Sequence, residues 1–308
     1  MQRCTRSGVA LALLVLDESE RGEFLAVGGL IVPTGLACGL EAGWRQLKAK
    51  YGLSAELPLK WAPPRESVER LRAWGLNVDD IRRSVCQWLV RRSDILALAM
   101  VHEERRRGLL RPGRGGVRDF YATGVAFAVQ RFAKVVADPK FADRPHVVVL
   151  DSIAWSRGRR SPLWDNKITR FFAGSMWGSK EQSIVPWMAK GHTALLESYG
   201  DWHRRGISGF KIPPLEQSGF VSSFLEAHGD RMDMLQIADC VCGCAAELFF
   251  SVASGRPSPV ATECMRTLLP VFCQATGFGT GVWGCGIVLY PPNNELWWRV
   301  RRLLEGEG

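Results

Sequence analysis

The sequence has nine cysteines but no C-x-x-C pair, and no cysteine and histidine cluster at zinc-binding spacing. That excludes the common structural zinc sites. An odd cysteine count also excludes complete pairing in disulfides. Cys240, Cys242 and Cys244 alternate along what reads as one helix, so they fan around its axis instead of converging. They are read as buried free thiols of a reducing compartment. No G-x-S-x-G elbow occurs, and none of the five histidines is placed persuasively beside a nucleophile. A serine or cysteine hydrolase is therefore disfavoured. The apolar run at 9–16 has eight residues, whereas a membrane span needs about 20. Arg3 and Arg6 precede it, as in a secretory signal, but acids follow in place of a small-residue cleavage site. A cytoplasmic chain with no membrane partner is expected.

What is present is a chain of 308 residues, 46% hydrophobic and 23% charged, the composition of an ordinary globular protein. No linker interrupts it, so a single domain over 1–308 is expected, with 251–308 as a C-terminal α/β extension. Forty Lys and Arg against 31 Asp and Glu give a net charge of +9. The arginines cluster, at Arg105–Arg107, at Arg157, Arg159 and Arg160, and at Arg299, Arg301 and Arg302 among other places. A polyanion partner and a solvated basic surface are both consistent with that pattern. The acids described next favour nucleic acid.

The unbroken apolar run at 9–16 ends in Asp17 and Glu18, the pattern of a central strand covered on both faces. Open α/β sheets place their chemistry at the C-terminal strand edge. A polar turn at 19–23 and a strand at 24–32 imply an antiparallel neighbour. Gly28-Gly29 within it marks a bulge or a close backbone approach. Helices are predicted at 40–51, 66–74 and 79–92, the last capped by Asp79, and a strand at 95–101. An Arg/Gly-rich loop at 105–118 and a helix at 119–136 follow. The strand at 147–150 repeats the opening pattern and ends in Asp151. Strand, helix, strand order gives an α/β mixed sheet flanked by helices. A long apolar helix at 232–250 carries Asp239, with Gln236 and Gly243 one turn to either side. The tail reads as a helix at 261–269, a strand at 283–290 and a helix at 295–304. Trp44, Trp74 and Trp88 are assigned to the core.

Asp17 and Asp151 each end a buried strand, and each alone would read as a cap or turn residue; two such strands weaken that reading. Asp239 sits among Leu235, Ile237, Ala238 and Val241. An ionised carboxylate there costs several kcal/mol unless it is paired or metal-bound. A core aspartate satisfied by one arginine is the alternative; a functional acid is the favoured reading. Clustered carboxylates repel one another, and a hard divalent cation, Mg²⁺ or Mn²⁺, resolves that repulsion. Two such ions about 3.5–4 Å apart activate water against a phosphodiester.

The runs L-D-E-S at 16–19, F-x-x-x-G-G-x-x-V at 24–32, L-K-W at 59–61, V-V-L-D-S at 148–152 and L-Q-I-A-D at 235–239 resemble the family called domain of unknown function 3800. The match spans roughly the first 250 residues in order. The resemblance implies an RNase H-like fold and an acidic metal cluster of Asp17, Asp151 and Asp239, with Lys60 and Gln236 nearby. That family often carries a glutamate close before the lysine; here Pro58 and Leu59 stand there. Glu18, Glu41, Glu56 or Glu103 is left as the fourth ligand, or none. Metal-dependent hydrolysis of RNA or DNA is the resulting expectation. Lys60 would neutralise the phosphate or orient water, and Gln236, Arg157, Arg159 and Arg160 would contact substrate. A catalytically inert nucleic-acid-binding or scaffolding protein of a mobile-element or phage-defence system is the alternative.

Overall fold

The computed structural model describes residues 12–55, 57–92, 95–103, 146–151, 220–227, 232–274, 281–290 and 293–306, with helical positions within 124–135. Its centre is a six-stranded mixed sheet. Strand β1 (Ala12–Arg21) and β2 (Phe24–Pro33) form a hairpin paired from Ala12↔Pro33 to Arg21↔Phe24. β3 (Leu96–Glu103) continues the antiparallel meander beyond β2. On the other side of β1, β4 (His146–Asp151) pairs parallel to it, and β5 (Phe220–Ala227) parallel to β4. The short β6 (Ile287–Tyr290) pairs parallel to β3, giving the order β5-β4-β1-β2-β3-β6.

β1 thus has a strand on each side and a core on each face, which accounts for its unbroken apolar run. The pleat splits it. Val15 belongs to one core, with Trp44, Ala238 and Val241. Leu14 and Leu16 belong to the other, with Val125, Ala128 and Phe132. The first core is the larger and is built on helix α4 (Asp233–Ala253), which packs across β1, β2 and β3. Eighteen of its twenty-one residues are buried, so it is apolar on nearly every side because it is enclosed on nearly every side. It is the one described helix long and apolar enough to cross a membrane, but 89% of that apolar window lies inside the fold.

The other helices cover α4 and the sheet rim. α1 (Thr34–Lys50) starts directly after Pro33, earlier than its apolar periodicity announced, and buries Leu40, Trp44 and Leu47. α2 (Arg65–Ala73) follows Pro63-Pro64. α3 (Val78–Leu89) buries Ile81, Val85, Cys86 and Leu89. Its cap is Asn77, whose side chain accepts the Asp79 N–H at 2.9 Å. The expected cap Asp79 instead occupies the first turn, where its charge favours the helix N-terminus. α5 (Pro259–Leu268) packs on α3 and α4, and α6 (Asn294–Glu305) on α4 and α5. Residues beyond 251 therefore extend the same sheet and the same core.

Several expectations are corrected. The β1–β2 turn is confined to Gly22 and Glu23, so Ser19–Arg21 belong to the strand. Gly28-Gly29 is a close approach without a bulge, since the register runs through it unbroken. A Cβ on Gly28 would meet Leu98 O at 2.4 Å, and one on Gly29 would meet Val15 O at 1.9 Å. Of 283–290 only the last four residues enter the ladder, because the Gly284 N–H turns back to Ile287 O at 2.8 Å. Trp74 is 52% exposed and is no core residue, while Trp44 is fully buried. β5 had no counterpart in the sequence reading. The loop at 105–118 lies outside the described residues, as does most of the helix expected at 119–136.

Candidate acidic site

The strand registers set the site. Leu16 pairs with Leu150 at the end of the parallel β1–β4 ladder, so Asp17 and Asp151, one residue on, lie side by side. Both follow the pleat of Val15 and Val149, the face covered by α4. Asp17 does not end its strand; β1 runs on to Arg21 with β2 alone. Among the described residues, the pairing of β1 with β4 ends at Leu16↔Leu150, just before the two acids. Opposite Asp17 on β2 is Gly28, whose missing side chain lets Cys242 of α4 approach. From above, α4 brings Asp239, which is 8% exposed; Asp17 is 4% exposed.

The charges of four carboxylates and one ammonium act on one another here. Burial lifts the Asp17 carboxyl well above the ordinary carboxylate range, and the charges of Glu18, Asp239 and Asp151 lift it further, against Lys60. Glu18 is raised by burial and then by Asp151, again with Lys60 opposing. Asp239 is raised by burial to about 6, against the Trp61 N–H, Lys60 and Arg82. Such mutual repulsion favours a cation or a shared proton at the site. Asp17 Oδ1 accepts the Glu18 N–H at 2.7 Å. Glu18 Oε2 is buried and accepts no hydrogen bond among the described residues, so it is available to a cation or a proton.

Lys60 arrives on a loop that α4 clamps on both sides. Gln236 Oε1 accepts the Leu59 N–H at 3.0 Å and the Trp44 indole N–H at 3.2 Å. Asp239 Oδ2 accepts the Trp61 N–H at 2.6 Å. One turn further, Gly243 faces the Trp61 side chain, where a Cβ would lie 2.5 Å from Trp61 Cβ. One more turn on, Glu247 accepts the Trp61 indole N–H at 2.8 Å. Gln236, Asp239, Gly243 and Glu247 are spaced by three, four and four residues, which is one face of a helix. Below the loop, Arg82 donates from Nε to Trp61 O at 2.9 Å, and its guanidinium lies 4.6 Å from the Trp61 ring centre. Trp61 itself is 1% exposed.

Among the proposed site residues, Asp17, Glu18, Asp151, Asp239 and Lys60 lie within reach of one another's charge. Gln236 is a positioning residue: it is 2% exposed and spends Oε1 on the loop and on α1. Of the fourth-ligand candidates among the described residues, Glu18 is the one whose charge acts on Asp17. Glu41 lies beside Arg45 and Asp233. Glu103 accepts the Asn293 amide at 2.8 Å at the far end of β3. Glu56, Arg157, Arg159 and Arg160 lie outside the described residues. Arg82 and Glu247 were missed by sequence reasoning. Glu247 was findable as the next member of the polar stripe on α4, whereas nothing in the sequence points Arg82 at Trp61.

All four site acids offer oxygen, the donor that hard divalent cations take, and the orphaned Glu18 oxygen fits such a ligand. The present spacing does not yet close on one: among the described residues no three Asp, Glu, His or Cys side chains stand close enough to hold an ion. No family model, curated protein or solved structure matches the chain.

Proposed function

We propose that the chain is an RNase H-like, divalent-metal-dependent phosphodiesterase acting on nucleic acid. The observation that carries this reading is the convergence of Asp17, Asp151 and Asp239 from two adjacent parallel strands and a crossing helix, with their mutual repulsion balanced by one lysine. The mixed sheet flanked by helices supports it, as does the sequence resemblance. Asp17, Asp151, Asp239 and Glu18 would hold Mg²⁺ or Mn²⁺. Such ions lower the pKa of bound water and stabilise a leaving oxygen. The residues themselves supply the rest. Lys60, fixed through its two neighbours, places its positive charge beside the acids, where it would neutralise the scissile phosphate. Gln236 and Asp239 hold that loop in register with α4. The net charge of +9 favours a polyanion, and a cytoplasmic setting belongs to the same proposal.

The test is a low-salt cleavage assay on single-stranded and duplex RNA and DNA and on a hybrid, each with Mg²⁺, Mn²⁺ or EDTA. Cutting that needs the metal and is lost in Asp151→Asn is the expected result. Metal-dependent cutting that survives that substitution would defeat the assignment.

A second reading rests on the donor spacing and on Pro58 and Leu59 at the place of the family's glutamate. It is an inert nucleic-acid-binding or scaffolding protein that keeps the fold without turnover. It predicts salt-sensitive binding that persists in EDTA, with no cleavage in Mn²⁺.

A further inference from the structure

Behind the Lys60 loop lies an open cleft of about 840 Å³, within the size range of small-ligand sites. Its floor and walls come from five places: the end of β1, the residues after Trp61, α2, the α2–α3 turn and the first turns of α3. Pro63, Val68 and Leu76 give it an apolar wall, and Arg21, Arg72 and Arg82 give it positive charge, against Asp79. Arg82 forms the partition between cleft and acids. It lines the cleft, hydrogen-bonds to Trp61 O, and its charge is felt by Asp239. Its other end is engaged by Asp79 at 2.9 Å, so it contributes field more than free donors. Arg21 is half exposed and lies 3.6 Å from Glu247, a loose pair. Arg72 is exposed on α2 and makes no ion pair among the described residues.

We infer that this cleft is a nucleotide subsite, taking a phosphate of a single strand on Arg21 and Arg72 and the attached sugar and base against Val68 and Leu76. The inference rests on the phosphodiesterase reading and adds the place where the strand flanking the scissile bond is held. An apolar wall beside two available guanidiniums suits an amphipathic anion. A purely inorganic anion would leave that wall unused, and an apolar ligand would leave the arginines unpaired.

The test uses the full chain and a short labelled single-stranded oligonucleotide, one RNA and one DNA, followed by fluorescence anisotropy in EDTA. Arg72→Glu and Val68→Glu probe the cleft. Arg65→Glu, on the same helix but 91% exposed and outside the cleft, controls for charge. Circular dichroism and a thermal melt establish that each variant is folded. Arg72→Glu is expected to weaken binding by about tenfold and to lower the salt slope by about one. Val68→Glu is expected to weaken binding by well over about twofold, while Arg65→Glu, a change of surface charge alone, stays within about twofold of wild type. Equal losses in Arg72→Glu and Arg65→Glu, or no loss in either cleft variant, would overturn the subsite. The two readings fail separately. Cleavage that needs Asp151, with binding indifferent to Arg72, removes the cleft and keeps the phosphodiesterase. Arg72-dependent binding without any cleavage keeps the cleft as a nucleotide site and removes the phosphodiesterase.

Discussion

Replacing Asp239 by asparagine isolates the electrostatic cost of the acidic cluster. The amide keeps an oxygen for the Trp61 N–H and removes the charge. Asp239 moves from its ordinary 3.8 to about 6 in the folded chain. At about 1.4 kcal/mol per pH unit, that shift of about two units is worth about 3 kcal/mol. The folded pKa lies above the unfolded one, so the folded state holds this proton more tightly. Wild-type stability from this group is therefore greatest at and below about pH 4, falls as the pH climbs through about 6, and levels off above about 7. Asp17 and Glu18 titrate in both proteins, and without the Asp239 charge they are lifted less, which acts in the same direction as the loss of the Asp239 titration. Urea melts in EDTA at pH 4 and pH 7.5 measure the difference. Asp239→Asn is expected to gain on wild type by about 3 kcal/mol between the two pH values. Addition of Mn²⁺ at pH 7.5 is expected to narrow the gap, because a cation bound by the acids stabilises only the wild-type arrangement fully. A stability difference that does not change with pH would refute the reasoning, since it would mean that Asp239 is ionised at no cost.

Two further substitutions probe the scaffold. Gly243→Ala places a Cβ 2.5 Å from that of Trp61, so the Lys60 loop must shift; a loss of about 1–3 kcal/mol in urea melts is expected, with reduced cleavage. Asn77→Ala removes the α3 cap and is expected to lower stability by about 1 kcal/mol in thermal melts, leaving any metal dependence of cleavage unchanged.

The sequence made the acids legible because burial and charge conflict visibly. An aspartate after an eight-residue apolar run, or within a helix of apolar and small residues, stands out against its neighbours. It did not disclose why Asp17 is where it is. The end of an apolar run looked like the end of a strand, whereas the strand continues through a polar stretch and only its parallel pairing stops. Pairing partners are a property of the sheet, and β4 is more than a hundred residues away in sequence. The β5 segment, FVSSFLEA, was missed for a related reason: two central serines break its apolar pattern, and its pairing with β4 is non-local. Gly243 stands one turn from Asp239 in the sequence, but the group that packs against it, Trp61, comes from a loop whose prolines give no periodic signal. Asn77 and Asp79 both suit a helix cap, and only the backbone decides between them.

The order in which the parts are made has a consequence for folding. β1, β2 and β3 are complete once Glu103 has been added, yet the helix that covers their larger apolar face begins only at Asp233. Until α4 emerges, the meander exposes Val15, Ala26, Leu30 and Val101, together with the glycine groove that Ala238 and Cys242 later fill. Contacts of such long sequence separation form slowly, and partly built sheets with bare apolar faces associate with one another. A chain cut short before α4 would thus carry Asp17 and Lys60 but no lid to clamp the loop and no face to protect the strands. Asp17 and Asp151 cannot meet Asp239 before α4 has been made, so a chain cut short ahead of it lacks the complete acidic cluster.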